Sequence, residues 1–211
     1  MVKPLILIGG GGHCRSVIEV AESQGYTIKG VIDLPEFLGQ KVLSTEVIGS
    51  DDDIAKYVDE CEFIVTLGFI KCPTLRIKLH NRIEEAGGKL ATVIAATAHV
   101  SKYVEIGAGT VVLHGAMINA GAKIGKGCII NTLSNIEHDA VIGDYCHIST
   151  GVMVNGDCKV GENTFLGSQS VMVNATSIPA NSVFAAGCMI RESQKEEGIY
   201  AGNPAVLMKK K

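Results

Sequence analysis

From Val100 onward the chain places an apolar residue at every sixth position. The series runs Val100, Ile106, Val112, Ile118, Ile124, Ile130, Ile136, Ile142, Ile148, Val154, Val160, Leu166, Met172, Ile178, Phe184 and Ile190 without a slip. Four residues after these the side chain is nearly always small, as at Ala116, Ala122, Cys128, Ser134, Ala140 and Cys146. A hexapeptide period predicts a prism-shaped parallel β-helix with three short strands per coil, so residues 18 apart stack. The large aliphatic residue fills the interior and the small one fits beside it at the corner. Glycines directly after the aliphatic residue (Gly107, Gly125, Gly143, Gly161, Gly167) and the asparagines Asn119, Asn135 and Asn155 are expected to supply the backbone freedom that corners need.

Residues 1–88 follow another pattern. "LILIGGGG" reads as a strand and turn, "HCRSVIEVAESQG" as a helix with apolar face Val17, Ile18, Val20 and Ala21, and "TIKGVID" as a second strand. Further on, "FIVTLG" reads as a strand and "TLRIKLHNRIEEAGG" as a helix ended by Gly87 and Gly88. This order predicts a small Rossmann-like parallel α/β domain over 1–88, followed by the β-helix over 89–190 and a charged tail over 191–211. Gly9 to Gly12 stand before a helix, where unpaired backbone N–H groups favour an anion such as a pyrophosphate. Cys14 stands where a dinucleotide fingerprint has its third glycine, and Asp33 ends the second strand where a ribose hydroxyl could be accepted. A tight turn required by the fold is the competing explanation of the glycines.

Composition narrows the classes. The 211 residues carry a net charge of −3 with 46% hydrophobic content, enough for a soluble chain with real cores. Beyond Lys209, Lys210 and Lys211 there is no basic stripe, which argues against nucleic acid. No stretch is long enough to span a membrane, and the opening residues read as a strand rather than a signal peptide. Seven cysteines without a Cys-x-x-Cys pair point to reduced thiols and a cytoplasmic protein. Cys128, Cys146, Cys158 and Cys188 fall at the small inward position and are read as core.

Two histidines interrupt the repeat. His138 follows the interior Ile136 by two residues, so it faces outward, with Asp139 beside it. An imidazole next to a carboxylate is held in one tautomer and made more basic, as a general base requires. The repeat puts Gly156 one coil above, leaving room over the ring and a backbone N–H for an oxyanion. His147 lies half a coil away, so the two cannot share a metal within one chain. A metal shared between subunits is the alternative considered, and none is expected. His99 and His114 are read as surface residues. Thr150, Ser168 and Ala186 form a column of small residues in which a thin ligand such as a pantetheine arm could lie.

Together "IGGGGHCRS", "VID", "VTLG", "NTLSNIEHDAVIGDYCHISTG", "FLGSQS" and "GIYAGNPA" resemble the hexapeptide acyltransferases. Within them the chain is similar to the nucleotide-sugar N-acetyltransferases of the bacillosamine pathway and the sialic acid O-acetyltransferase-like group. The resemblance implies a left-handed β-helix and acetyl transfer from acetyl-CoA to the amine of a nucleotide-linked sugar, with a UDP-4-amino-4,6-dideoxy sugar as the leading substrate, for surface glycan synthesis. It also implies homotrimers with active sites between adjacent β-helices. By the same resemblance, His138 is the base and Asp139 its orienting partner, while His147 of a neighbouring chain meets the thioester. Ser168 and Ala186 line the CoA arm, and Asn131 lies near the sugar. Gly12, His13, Cys14, Asp33 and Gly68 match the uridine-nucleotide loop positions. Leu34 and Phe69 depart from the family pattern, where an acidic residue and an asparagine are common, and leave the base and sugar open. The competing readings are O-acetylation of a sugar hydroxyl such as that of sialic acid, a β-helix binding protein without catalysis, and a nicotinamide-dependent enzyme.

Overall fold

The computed structural model describes residues 3–210. The first sheet has six strands in the order β3-β4-β2-β1-β5-β6, formed by β1 (Leu5–Ile8), β2 (Ile28–Ile32), β3 (Lys41–Val42), β4 (Thr45–Gly49), β5 (Glu62–Val65) and β6 (Lys89–Leu90). All neighbours are parallel except β3 and β4. The central strand β1 reads LILI and is buried on both faces, as a parallel strand covered on two sides must be. Helix α1 (Gly12–Ser23) buries Cys14, Val17, Ile18, Val20 and Ala21, while α2 (Thr74–Glu85) buries Arg76, Leu79, His80 and Ile83. Strand order reverses at β1, so a crevice opens at the carboxyl ends of β1, β2 and β5. Between Asp33 and Phe63, where the sequence reading assigns no element, lie β3, β4 and two 3-10 turns, Pro35–Phe37 and Asp51–Lys56. These pieces are too short to carry a resolvable period.

Seventeen two-residue strands follow at intervals of six, from Val93–Ile94 to Met189–Ile190, and build a left-handed parallel β-helix. The register is the expected one: Ile130 pairs with Ile148, Ile136 with Val154 and Ile142 with Val160. Interior positions such as Ile118, Ile136 and Ile148 are fully buried. The small inward residues also serve the backbone. The thiols of Cys128, Cys146 and Cys158 donate to the carbonyls of Gly143, Gly161 and Val173, each fifteen residues ahead, at 3.1–3.2 Å. Thr110 and Thr164 do the same with their hydroxyls. A weak donor at that position thus satisfies a corner carbonyl one coil further on.

The corners correct one expectation. The left-handed backbone falls three residues after the interior aliphatic residue, at Gly109, Gly115, Gly121, Gly127 and Gly151 but equally at Leu133, Asp139, Tyr145 and Gln169. The glycines directly after the aliphatic residue do not adopt positive φ. They are needed for close approach, because a Cβ on Gly143 would stand 2.6 Å from the backbone nitrogen of Glu162 in the next coil. Asn119, Asn135 and Asn155 have ordinary φ; Asn119 and Asn135 instead direct side-chain amides at Glu137.

The prism has three faces. The first, starting at Val93, packs against the α/β domain, and its outward residues Val111 and Ile129 are fully buried. The second carries His99, Met117, Asn135, Met153, Val171 and Met189; the third carries Glu105, Lys123, Val141, Lys159 and Ser177. The far end is closed by Gly198–Ala201, which extends the first face and turns back antiparallel into Val206–Lys210, with Tyr200 stacked on Phe184 at 4.6 Å. Such a cap covers the open interior that a solenoid otherwise exposes.

Arg76 ties the domains together. Its guanidinium is fully buried and donates to the carbonyls of Val65 and Leu67 at the end of β5, and to those of Gly127 and Gly109 on one corner of the β-helix in successive coils. Burial lowers its pKa to about 10, so it remains charged at neutral pH. Each of those bonds to a charged donor is worth roughly 1.5–3 kcal/mol. Together they offset the cost of burying the charge.

Candidate functional site

His138 lies just after the strand Asn135–Ile136, on the corner between the second and third faces. Its Nδ1 stands 2.9 Å from Oδ2 of Asp139, which the left-handed corner (φ 59°) turns toward the ring. The hydrogen bond to Asp139 raises the imidazole pKa above its ordinary 6.5, with smaller contributions from the charges of Asp139, Asp157 and Glu137. Both side chains are well exposed.

The pair occupies a slot between two glycines. A Cβ on Gly156, one coil ahead, would stand 2.6 Å from Nε2 of His138, so only glycine lets the ring lie there. One coil behind, Gly121 clears the space that the Asp139 carboxylate fills. With Nδ1–H donated to the carboxylate, Nε2 carries the lone pair and lies over Gly156. This arrangement can accept a proton from a nucleophile.

His147 meets a different environment. It points outward from the first face, where Phe69 and Phe165 pack edge-on against its ring at 5.6 and 5.1 Å. Nδ1 donates to the Phe69 carbonyl at 2.8 Å, and Nε2 accepts from the Asn131 amide at 3.2 Å. Burial lowers its pKa to about 4, leaving the ring neutral.

Ser168 and Ala186 stack on the corner between the first and second faces. The Gly187 N–H donates to the Ser168 carbonyl at 2.9 Å, and the Ser149 and Ser168 hydroxyls lie 3.0 Å apart. Asn131 sits on the same corner, its Oδ1 accepting from the Thr132 N–H at 2.8 Å. Within one chain, therefore, Asn131, Ser168 and Ala186 lie along one edge of the second face, with His147 behind Asn131 on the first face, and His138, Asp139 and Gly156 lie at its other edge.

In the α/β domain, Gly12 is exposed at the start of α1 and Gly68 is exposed after β5. Asp33 accepts the Gly10 N–H on Oδ2 at 2.6 Å and the Leu34 N–H on Oδ1 at 2.7 Å. The Cys14 side chain is fully buried in the core, which pushes its thiol up to about 11, so only its backbone borders the loop. His13 turns into the seam between the domains, close enough to Arg76 to feel its charge, and its Nε2 is buried without a hydrogen-bond partner. Burial holds its pKa at about 3.

The sequence reading missed Arg76 and His80. His80 is fully buried beneath Gly109 and Gly127, edge-on to Tyr145 at 5.3 Å, with a pKa lowered by burial to about 3. A signal was present: Leu79 and Ile83 mark the buried stripe of α2, and Arg76 and His80 share that stripe at helical spacing. Among the described residues, no group of three or more His, Cys, Asp or Glu is placed to hold a metal, and no helix is long and apolar enough to cross a membrane.

Comparison with known proteins fits both halves of this geometry. Residues 4–83 match the PglD N-terminal domain, and residues 121–156 and 139–174 match the bacterial transferase hexapeptide repeats. The acetyltransferase domain of PglB from Neisseria gonorrhoeae, solved with acetyl coenzyme A, superposes with a TM-score of 0.91 at 27% identity, over 99% of this chain and 100% of that one. A variant of perosamine N-acetyltransferase from Caulobacter crescentus, solved with CoA and GDP-perosamine, gives 0.91 at 29% identity, over 98% of this chain and 97% of that one. An uncharacterised protein of Acanthamoeba polyphaga mimivirus is 32% identical over 108 residues, which is 50% of this chain and 20% of that relative. The chain thus spans only about a fifth of that relative's length. With an α/β domain that matches the PglD N-terminal domain and a β-helix that matches the transferase hexapeptide repeats, the chain is similar over nearly its whole length to hexapeptide sugar N-acetyltransferases.

Proposed function

We propose that this chain transfers the acetyl group of acetyl-CoA to the amine of a nucleotide-linked amino sugar. The observation that carries the reading is the His138–Asp139 pair, with Nε2 aimed into a slot that only Gly156 keeps open. The α/β domain supplies a crevice for the nucleotide, and two similar proteins were solved with acetyl-CoA or with CoA and GDP-perosamine.

The chemistry follows from charge. A neutral amine attacks the thioester carbonyl, and His138 Nε2 takes the proton that the nitrogen must shed as the C–N bond forms. Asp139 keeps the ring in the required tautomer and stabilises the imidazolium. The Gly156 N–H faces the developing oxyanion, and collapse of the tetrahedral centre releases the CoA thiolate, which receives the proton from His138. Holding both substrates in one groove supplies much of the rate without an acyl-enzyme. Ser168 and Ala186 border the pantetheine arm and Asn131 borders the sugar, with His147 behind Asn131, its Nε2 accepting from the Asn131 amide and fixing it. Gly12, His13, Cys14, Asp33 and Gly68 form the nucleotide end.

The same reading makes the protein a homotrimer. The catalytic pair and the CoA column lie on opposite edges of the second face, so a site that uses both draws on two chains. Along that face Met153, Val171 and Met189 follow one another without interruption beyond Met117 and Asn135, whereas the third face sets Val141 between Lys123 and Lys159, with Lys123 paired to Glu105. An exposed apolar strip of this kind is what an interface buries.

Release of CoA thiol from acetyl-CoA, measured with a panel of nucleotide-linked amino sugars beside sialic acid, tests the proposal. Release with an amino sugar supports it. Release with sialic acid alone replaces it with O-acetylation, and a monomeric mass in solution removes the two-chain site.

A further inference from the structure

The crevice of the α/β domain is two chambers that meet at Gly10, Gly11, Asp33 and Phe37. The smaller, about 260 Å³, is the polar one and adds Arg15 and Lys41. The larger, about 370 Å³, is walled by Ile8, Ile32, Leu67 and Leu79, with Leu34 and Leu75 at its mouth. Leu34, Phe37 and Leu75 remain 55%, 39% and 55% exposed, a cluster of uncovered apolar surface around a cavity of small-ligand size. Among the described residues, the polar side chains on the wall of this larger chamber are Asp33 and Asp51 alone.

We propose that the larger chamber takes a guanine base, with Asp51 reading its N1–H and N2–H₂ edge. The inference rests on the nucleotide-sugar reading above and names the base. Arg15 and Lys41 place positive charge in the neighbouring chamber, where a diphosphate needs it. Asp33, at the junction, is positioned for the ribose between the two. The apolar walls and Phe37 then accept a flat ring.

The choice of base follows from what a carboxylate can do. It offers acceptors only. Guanine presents two adjacent donors that match it as a bidentate pair. Uracil and thymine present one N–H flanked by two carbonyls, whose lone pairs would face the carboxylate. Adenine presents its amino group next to a ring nitrogen that is itself an acceptor. Asp51 retains capacity for this contact, because Arg82 makes its short bond, 2.5 Å, to Asp52 and stands 3.9 Å from Asp51. The 3-10 turn that begins at Asp51 is fixed independently by the reciprocal Ser50–Asp53 capping box.

Calorimetric titration of the full-length protein with GDP, UDP, dTDP and ADP tests this directly. GDP is expected to bind roughly ten- to a hundred-fold tighter than the other three, the discrimination a bidentate pair provides. Asp51→Asn should remove most of that preference and improve UDP, because an amide can both accept from N3–H and donate to a uracil carbonyl. UDP or dTDP binding as tightly as GDP overturns the guanine assignment and leaves the nucleotide-sugar reading standing. Equal binding of all four, or an unchanged preference in a folded Asp51→Asn protein, also overturns it. Absence of binding by any of the four overturns the nucleotide-sugar reading itself.

Discussion

His138 and His147 are nine residues apart in one solenoid, and the fold gives them opposite chemistry. His138 stands on an open corner, where a neighbouring carboxylate raises its pKa above 6.5. His147 is closed into the seam between the domains, where burial lowers its pKa to about 4 and a backbone carbonyl and an amide occupy its two nitrogens. His13 and His80 share that seam and are lowered to about 3. The corner leaves an exposed imidazole whose carboxylate neighbour favours its charged form; the seam is arranged to stay neutral around one buried cation, Arg76.

The largest effect that separates the two regions is acid destabilisation. Unfolded histidines take up protons near pH 6.5, whereas the three seam histidines resist until about pH 4 or 3. Their contribution is therefore fully present above pH 6.5 and is lost as pH falls from there toward 4. Each contribution falls by at most about 1.4 kcal/mol per pH unit, a limit approached only about a unit below pH 6.5, so the combined slope rises toward about 4 kcal/mol per unit near pH 5. Urea unfolding at pH 7, 6 and 5 should show this loss steepening, with proton uptake on unfolding rising from below about one at pH 7 to nearly three at pH 5. His80→Leu should cut the slope by roughly a third. Stability that stays flat from pH 7 to 5 would break the contrast between seam and corner.

Removing the corner histidine tests the other side. His138→Ala is expected to lower kcat by roughly 10²- to 10⁴-fold, the range for loss of a general base. Because the side chain is exposed, the melting temperature and acetyl-CoA affinity should stay close to those of the parent protein. Turnover within a factor of two of the parent would remove His138 from the mechanism.

The corner was legible in the sequence and the seam was not, for a physical reason. A solenoid is nearly one-dimensional, so the six-residue period fixes which residues stack: Gly156 over His138 follows from counting 18. No period relates His147 to Phe69, 78 residues earlier, or Arg76 to Gly127, 51 residues later. Those contacts depend on how the α/β domain docks on the first face. The six-residue count also failed to separate two uses of glycine, so the left-handed corner positions were assigned to the residues that need only close approach. In the α/β domain the glycine loop and Asp33 were legible as a turn and an acceptor, but Asp51 was not, because β4 and the turn after it are too short to show a pattern.

The smallest effect sharpens the corner most. Asp139 is the first cause of the raised His138 pKa, through its hydrogen bond, with Asp157 and Glu137 adding less. The base works only when unprotonated, so kcat/KM should rise with pH through a value above 6.5. Asp139→Asn keeps an oxygen that accepts the Nδ1–H, and with it the tautomer, but removes the charge. The pKa should fall, and the acid limb of the pH profile should move to lower pH, while the plateau drops because the base is weaker. Glu137→Gln should move the limb in the same direction by less. A limb that stays in place in both variants would belong to the substrate amine rather than to His138, and the corner would then be a binding site whose charge has no part in proton transfer.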